Sequence, residues 1–197
     1  MAVTTGIVLF DDAEELDFVG PWEVFTVAAM LNQGNRVVTI AATAQPVRCA
    51  KGLRVLPDHT FADAPALDVV LVPGGAGTTV AMSDPVLIGW LRGVAARCTW
   101  VTSVCSGAAV LHGAGLTKGK RVTTHWGYVE TLRQEPDITV LDNTRYVRDG
   151  NVVTSAGVSA GIDMALWLVG QLHGVEMARN VQHWIEYNPA PPYTADV

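Results

Sequence analysis

A cysteine stands at residue 105, in the run Thr99-Trp100-Val101-Thr102-Ser103-Val104-Cys105-Ser106-Gly107-Ala108-Ala109. β-Branched residues lead up to it, and small helix-compatible residues follow. That order predicts a strand turning sharply into a helix, with the sulfur carried on the bend in the manner of a nucleophile elbow. A helix start adds unpaired N–H groups and a positive dipole end. Both favour thiolate over thiol, so the Cys105 pKa is expected below that of an ordinary thiol. A thiolate attacks electrophilic carbon and can form a covalent intermediate. The competing reading of this window is a small apolar cysteine buried at a strand end.

Other reactive groups could meet this sulfur. Open α/β sheets bind ligands at the carboxyl ends of their strands. Two further loops leave such ends: Asp11-Asp12-Ala13-Glu14-Glu15-Leu16-Asp17 and Pro73-Gly74-Gly75-Ala76-Gly77. Glycines let a backbone approach a ligand, so the N–H groups of Gly74, Gly75 and Ser106 are candidate oxyanion donors; a plain tight turn is the alternative. Five carboxylates crowd the first loop, and most read as solvated. Asp17 differs, because Leu16 precedes it and Phe18-Val19 follow. An acid in an apolar setting has a perturbed pKa and suits proton transfer beside a thiol. The alternative is that Asp17 caps the next helix.

His125 and Trp126 follow a short strand. The residue after Cys105 is Ser106, so an adjacent Cys–His arrangement is absent, and His125 reads as a hydrogen-bonded structural residue. His59, His112, His173 and His183 lack metal-ligand spacing. Gly74-Gly75-Ala76-Gly77 lacks the dinucleotide fingerprint. No metal and no organic cofactor is therefore expected.

The elements that must hold these groups alternate between strand and helix. Strands are predicted at Gly6–Phe10, Arg36–Thr43, Asp68–Pro73, Trp100–Val104, Arg121–Thr124, Thr139–Leu141, Arg145–Val147 and Val152–Ser155. Helices are predicted at Pro21–Leu31, Pro85–Arg97, Tyr128–Gln134, Ala160–Leu172 and Val175–Tyr187. Proline suits a first helical turn, so Gly20-Pro21 reads as a helix start. Lys51–Phe61 reads as a small hairpin or excursion. Such alternation implies a mostly parallel sheet flanked by helices. A single α/β domain is expected over 1–188, with an extended Pro-rich arm at 189–197.

Of the 197 residues, 49% are hydrophobic and 16% charged, enough apolar side chain for one substantial core. A net charge of −6 without a basic cluster argues against a nucleic-acid surface. No secretory signal and no membrane-length apolar run is read, so no membrane partner is expected. Three scattered cysteines without a CxxC pattern suit reduced thiols in the cytoplasm.

Taken together, the residues resemble the ThiJ/PfpI superfamily of flavodoxin-like α/β proteins, from about Gly6 to Pro192. Within it, Val104-Cys105-Ser106-Gly107, Gly113-Ala114-Gly115-Leu116, Gly119-Lys120-Arg121 and Thr123-Thr124-His125-Trp126 look like the branch holding isocyanide hydratases and the amidase-like domains of AraC-type regulators. Asp17-Phe18-Val19-Gly20-Pro21 fits that branch, as does the ending Ile185-Glu186-Tyr187-Asn188-Pro189-Ala190-Pro191-Pro192. Many members carry glutamate where Asp17 stands, whereas isocyanide hydratases carry aspartate. Their pattern often has threonine where this chain has Ser106.

The resemblance implies hydration of an isocyanide to an N-substituted formamide. Cys105 would form a covalent thioimidate, and Asp17 would give a proton and later act as base toward water. Ser106 and the Gly75 loop would orient substrate and water. Gly20, Gly74, Gly75, His125 and Trp126 would be substrate-binding positions. It also implies a homodimer acting on a small molecule. The stretch after residue 188 leaves no room for a regulator's helix-turn-helix pair. Ser106 departs from the histidine of a PfpI-type protease. Two other readings stay open: a cysteine redox sensor or chaperone-like dimer without enzymatic activity, and a glyoxalase or deglycase.

Overall fold

The computed structural model describes residues 2–189. Most of the Pro-rich arm expected at 189–197 lies outside the described residues. In chain order the elements are β1 (Thr4–Val8), α1 (Glu15–Leu31), β2 (Arg36–Ala41), β3 (Val47–Arg48), β4 (Arg54–Val55), β5 (His59–Thr60), β6 (Val69–Val72), α2 (Thr78–Ala81), α3 (Pro85–Ala95), β7 (Trp100–Val104) and α4 (Gly107–Gly113). There follow β8 (Arg121–Val122), a 3-10 turn (Trp126–Tyr128), α5 (Val129–Leu132), β9 (Thr139–Val140), β10 (Tyr146–Asp149), β11 (Val152–Ser155), α6 (Ala160–His173) and α7 (Val175–Trp184).

The main sheet runs β10-β11-β7-β6-β1-β2-β5. All pairings are parallel except β10 with β11, which are joined through Gly150 at φ +65°. The central strands are apolar and buried on both faces, as parallel strands under helices require. On one face Ile7, Leu71 and Val104 pack against Phe18 and Phe25 of α1 and Met164 and Leu168 of α6. On the other, Val8, Val70 and Val72 meet Leu87 and Leu91 of α3 and Val110 and Leu111 of α4.

The expected single α/β domain with its mostly parallel sheet is the observed one. Strands β7 and β11 have the expected bounds. The predicted excursion at Lys51–Phe61 resolves differently. The hairpin pairs β3 with β4, and His59–Thr60 joins the main sheet as its edge. The short helix α2 was not anticipated, since four residues after a glycine loop carry no periodicity.

The main correction is the start of α1. The helix begins at Glu15, not at Pro21, so Pro21 sits in its interior. Pro21 cannot donate the backbone hydrogen bond that the Asp17 carbonyl would accept, a cost of about 3 kcal/mol. Burial of Phe18, Pro21, Val24, Phe25 and Ala28 on one side of the helix offsets it. The longer helix moves Asp17 from a loop onto its first turn, facing the sheet.

α4 lies close over the end of β6. A Cβ added at Gly107 would lie 2.3 Å from the Val72 carbonyl oxygen and 2.7 Å from that of Pro73. Alanine is the better helix former by about 1 kcal/mol. Overpacking against fixed backbone costs about 1–3 kcal/mol. Gly107→Ala is therefore expected to destabilise the fold, read as a lowered urea midpoint with an unchanged slope.

Candidate active site

Cys105 follows the last residue of β7 and adopts φ +57°. Ser106 returns to the right-handed region at φ −68°, and α4 begins at Gly107. A left-handed non-glycine residue costs about 1–3 kcal/mol unless its surroundings over-determine it. Here they do. The Cys105 N–H donates to the carbonyls of Ser155 and Ala156, both at 3.2 Å, and its own carbonyl accepts the Thr124 hydroxyl at 2.8 Å. The sharp strand-to-helix bend expected from the sequence is present, and the residue on it is only 8% exposed.

Asp17 meets the sulfur from α1. It is fully buried, and its carboxylate is held by two backbone donors: the Gly74 N–H to Oδ2 at 2.9 Å and the Val158 N–H to Oδ1 at 3.1 Å. The helix is capped at Glu14 without side-chain help, so the capping reading of Asp17 is not what the chain does. Burial, joined by the nearby Glu14 charge, raises the Asp17 pKa to about 6. The Gly74 and Val158 N–H groups and hydrogen bonding with Cys105 act the other way.

The expectation of a depressed Cys105 pKa is overturned. Burial first, and the negative charge of Asp17 second, push the thiol up to about 12. The Ser106 backbone and hydroxyl groups act against it, but they are weaker. α4 has seven residues and starts two positions after the cysteine, so its dipole does not outweigh a carboxylate beside the sulfur. These environments favour a thiol beside a carboxylate near neutral pH.

The glycine loop is built against this pair. A Cβ at Gly74 would lie 2.5 Å from the Ser106 nitrogen and 2.9 Å from the Cys105 Cβ. Gly75 has φ +117°, and a side chain there would strike the backbone of Asp12 and Glu14. The Gly75 N–H donates to Ser106 Oγ at 3.1 Å, and the Thr78 and Ser106 hydroxyls are 2.9 Å apart. Two of the three expected oxyanion donors thus already have acceptors: Gly74 on Asp17 and Gly75 on Ser106.

Cys105 and Ser106 form the floor of a cleft of about 330 Å³, walled by Glu14, Gly75, Tyr128, Val158 and His125. His125 packs its ring over Gly157, and its Nδ1 accepts the Gly127 N–H at 3.2 Å. The ring is therefore a hydrogen-bonded part of the wall, as expected. Trp126 stands outside this cleft and is 84% exposed. It lines an adjoining cavity of about 620 Å³ that shares His125 and Val158 with the cleft. Gly20 is elsewhere: it lies in α1, where a Cβ would come within 2.8 Å of Ile162 on α6, so it permits a close helix contact.

Sequence reasoning missed Thr78, Thr124 and Val158. Thr124 lay within a quoted motif, but nothing local says that its hydroxyl reaches back to Cys105. Among the described residues, no group of three or more His, Cys, Asp or Glu side chains is placed to hold a metal ion. No helix among them is long and apolar enough to cross a membrane.

The chain matches the model of the DJ-1/PfpI family over residues 4–171. It is 44% identical to the isonitrile hydratase of Pseudomonas putida, over 98% of this chain and 82% of that protein. It is 31% identical to Protein DJ-1alpha of Drosophila melanogaster, over 89% of this chain and 80% of that one. Among solved structures it is similar to a ThiJ/PfpI family protein from Pseudomonas syringae. That likeness has a TM-score of 0.90 at 33% identity and covers 100% of this chain and 80% of that one.

A thiol held near a pKa of 12 alkylates through a small thiolate fraction that grows with pH. Iodoacetamide labelling of Cys105, followed by peptide mass, is expected to rise about tenfold per pH unit between 7 and 10. An exposed thiol would instead level off above its ordinary pKa of about 8.5. Cys49 is fully buried and should label more slowly than Cys105.

Proposed function

We propose the following function for this chain, which belongs to the DJ-1/PfpI family: it hydrates an isocyanide to an N-substituted formamide, as a hydro-lyase acting through a covalent cysteine intermediate. The observation that carries this reading is the placement of Cys105 on the floor of a small cleft with the buried Asp17 carboxyl group beside it. The 44% identity to an isonitrile hydratase supports it.

The terminal carbon of an isocyanide carries a lone pair and, once protonated, becomes electrophilic. Hydration therefore places a proton and a nucleophile on the same atom. A proton donor and a sulfur side by side suit that requirement. The thiol proton passes to Asp17 and from there to the isocyanide carbon. The electron pair left on sulfur then closes the C–S bond. S–H has broken, C–H and C–S have formed, and the product is a thioimidate. In the second half Asp17, again a carboxylate, takes a proton from water. The hydroxyl adds to the carbon and the nitrogen is protonated. Collapse breaks C–S, forms the formyl C=O and returns a proton to the Cys105–Asp17 pair. Ser106, tied to Gly75 and Thr78, positions the glycine loop that holds Asp17 through Gly74.

A redox sensor needs a thiolate that oxidises readily. Burial and the Asp17 charge both hold Cys105 as a thiol, which favours the hydratase reading. A homodimer in the cytoplasm is part of the same reading. Exposed Leu16 and Val19 on α1, and Val175 and Trp184 on α7, are apolar side chains that a second copy would cover. Sedimentation is expected to give twice the chain mass.

The test is turnover of p-nitrophenyl isocyanide by reduced, anaerobic protein, with formamide followed as product and methylglyoxal as the competing substrate. Cys105→Ala should be inactive. Asp17→Asn cannot cycle a proton and should lose on the order of a hundred- to ten-thousand-fold in kcat. Asp17→Glu should be impaired but active. If Asp17→Asn turns over at the wild-type rate, Asp17 is not the proton carrier.

The pH profile has a definite sign. The reactive form has Asp17 ionised, so kcat/KM should be level above the Asp17 pKa of about 6. Below it, activity should fall about tenfold per pH unit as the carboxylate is protonated while the thiol keeps its own proton.

A further inference from the structure

We infer that the cavity beside the cleft receives the substrate's N-substituent, and that Trp126 selects isocyanides whose substituent is flat and not anionic. The inference rests on the hydratase reading above. The isocyanide group is linear, so a carbon set against Cys105 on the floor directs the nitrogen and its substituent straight out of the cleft. Cys105 is 8% exposed and Asp17 is fully buried, whereas Trp126 is 84% exposed, which gives the direction from floor to mouth. The way out passes His125 and Val158, the two residues the cleft shares with the larger cavity.

The adjoining cavity has a definite chemistry. The Trp126 indole is left 84% in water at the edge of this cavity, free of core packing. Its ring centroid lies 5.2 Å from that of His125, tilted by 40°. His125 is itself fixed by the Gly127 N–H and by the close backbone at Gly157. An aromatic face is thus held at the mouth, where a planar substituent can stack on it.

The charges at the rim are paired but not balanced. Arg145 pairs with Asp163, and Arg133 is shared by Glu130 and Asp142. Two guanidinium groups thus face three carboxylates, and the excess negative charge opposes an anionic substituent. The class indicated is an aryl or similarly planar isocyanide without a negative charge.

The experiment compares kcat/KM for p-nitrophenyl isocyanide with that for methyl isocyanide, whose substituent is too short to reach Trp126. In Trp126→Ala the aryl-to-methyl ratio should fall about five- to tenfold, mostly through KM, since one aromatic contact is worth roughly that much. Trp126→Phe keeps a stacking face and should hold the ratio within about twofold of wild type. The ring is exposed, so neither change disturbs the core. A ratio unchanged in Trp126→Ala, with both substrates still turned over, overturns the inference and leaves the hydratase reading standing. If wild-type protein hydrates neither isocyanide, the hydratase reading itself falls and the inference falls with it.

Discussion

A carboxylate with no access to water sets the terms for the rest of this molecule. Asp17 is fully buried, and a buried charge is tolerable only when hydrogen-bond donors surround it. Gly74 and Val158 supply them from loops 57 and 141 positions away in the chain. The glycine loop must therefore come within reach of Asp17, and there it lies so close to Cys105 and Ser106 and to the backbone of residues 12–14 that no side chain fits at Gly74 or Gly75. α1 must begin early enough to bring residue 17 to the sheet, so a proline is accepted inside a helix. Cys105 then sits buried beside a negative charge, and burial first and that charge second keep it a thiol. In the proposed hydration this pairing is what would let one proton move between sulfur, carboxyl and substrate.

Much of this was readable from the residues in order. A β-branched run that breaks at Cys105 into small residues announced the bend, and the bounds of β7 follow from it. Leu16 and Phe18-Val19 around Asp17 announced a buried acid. The pKa of Cys105 was read in the wrong direction. Sequence adjacency suggests a helix start behind the sulfur, but it reveals neither the burial of the thiol nor a carboxylate arriving from 88 positions earlier, and these two together prevail over the dipole. The start of α1 was misplaced for a related reason. Proline preference is a local signal, and packing of Phe18 and Val24 on the sheet overrides it. Gly20 belonged to a motif, yet its lack of a side chain serves the contact with Ile162 and not the cleft.

Three threonine and serine hydroxyls join these parts. Thr124 holds the carbonyl of Cys105, while Thr78 and Ser106 are bonded to each other, with Ser106 also receiving the Gly75 N–H. Each hydroxyl is buried and answers a polar group that would otherwise be left without a partner. The left-handed backbone at Cys105 depends on this. Its N–H and its carbonyl are both bound, so the bend has no unbonded backbone group to pull it back toward an extended conformation.

The order of the strands bears on how the chain is made. Strand β11, residues 152–155, lies in the sheet between β10 and β7, and its register runs alongside the strand that carries Cys105. The carbonyls of Ser155 and Ala156 that accept the Cys105 N–H, and the Val158 N–H that holds Asp17, come from this same late stretch. During synthesis the first three-quarters of the chain can leave the ribosome with β7 as an unpaired sheet edge, a surface open to pairing with other chains. Its cysteine lacks the backbone partners that later lock it in place. When β11 docks, it covers that edge, fixes the bend and supplies the second donor to Asp17 in one event. The candidate site is therefore one of the last parts of the molecule to form, and a chain halted before about residue 160 has the cysteine without its backbone partners.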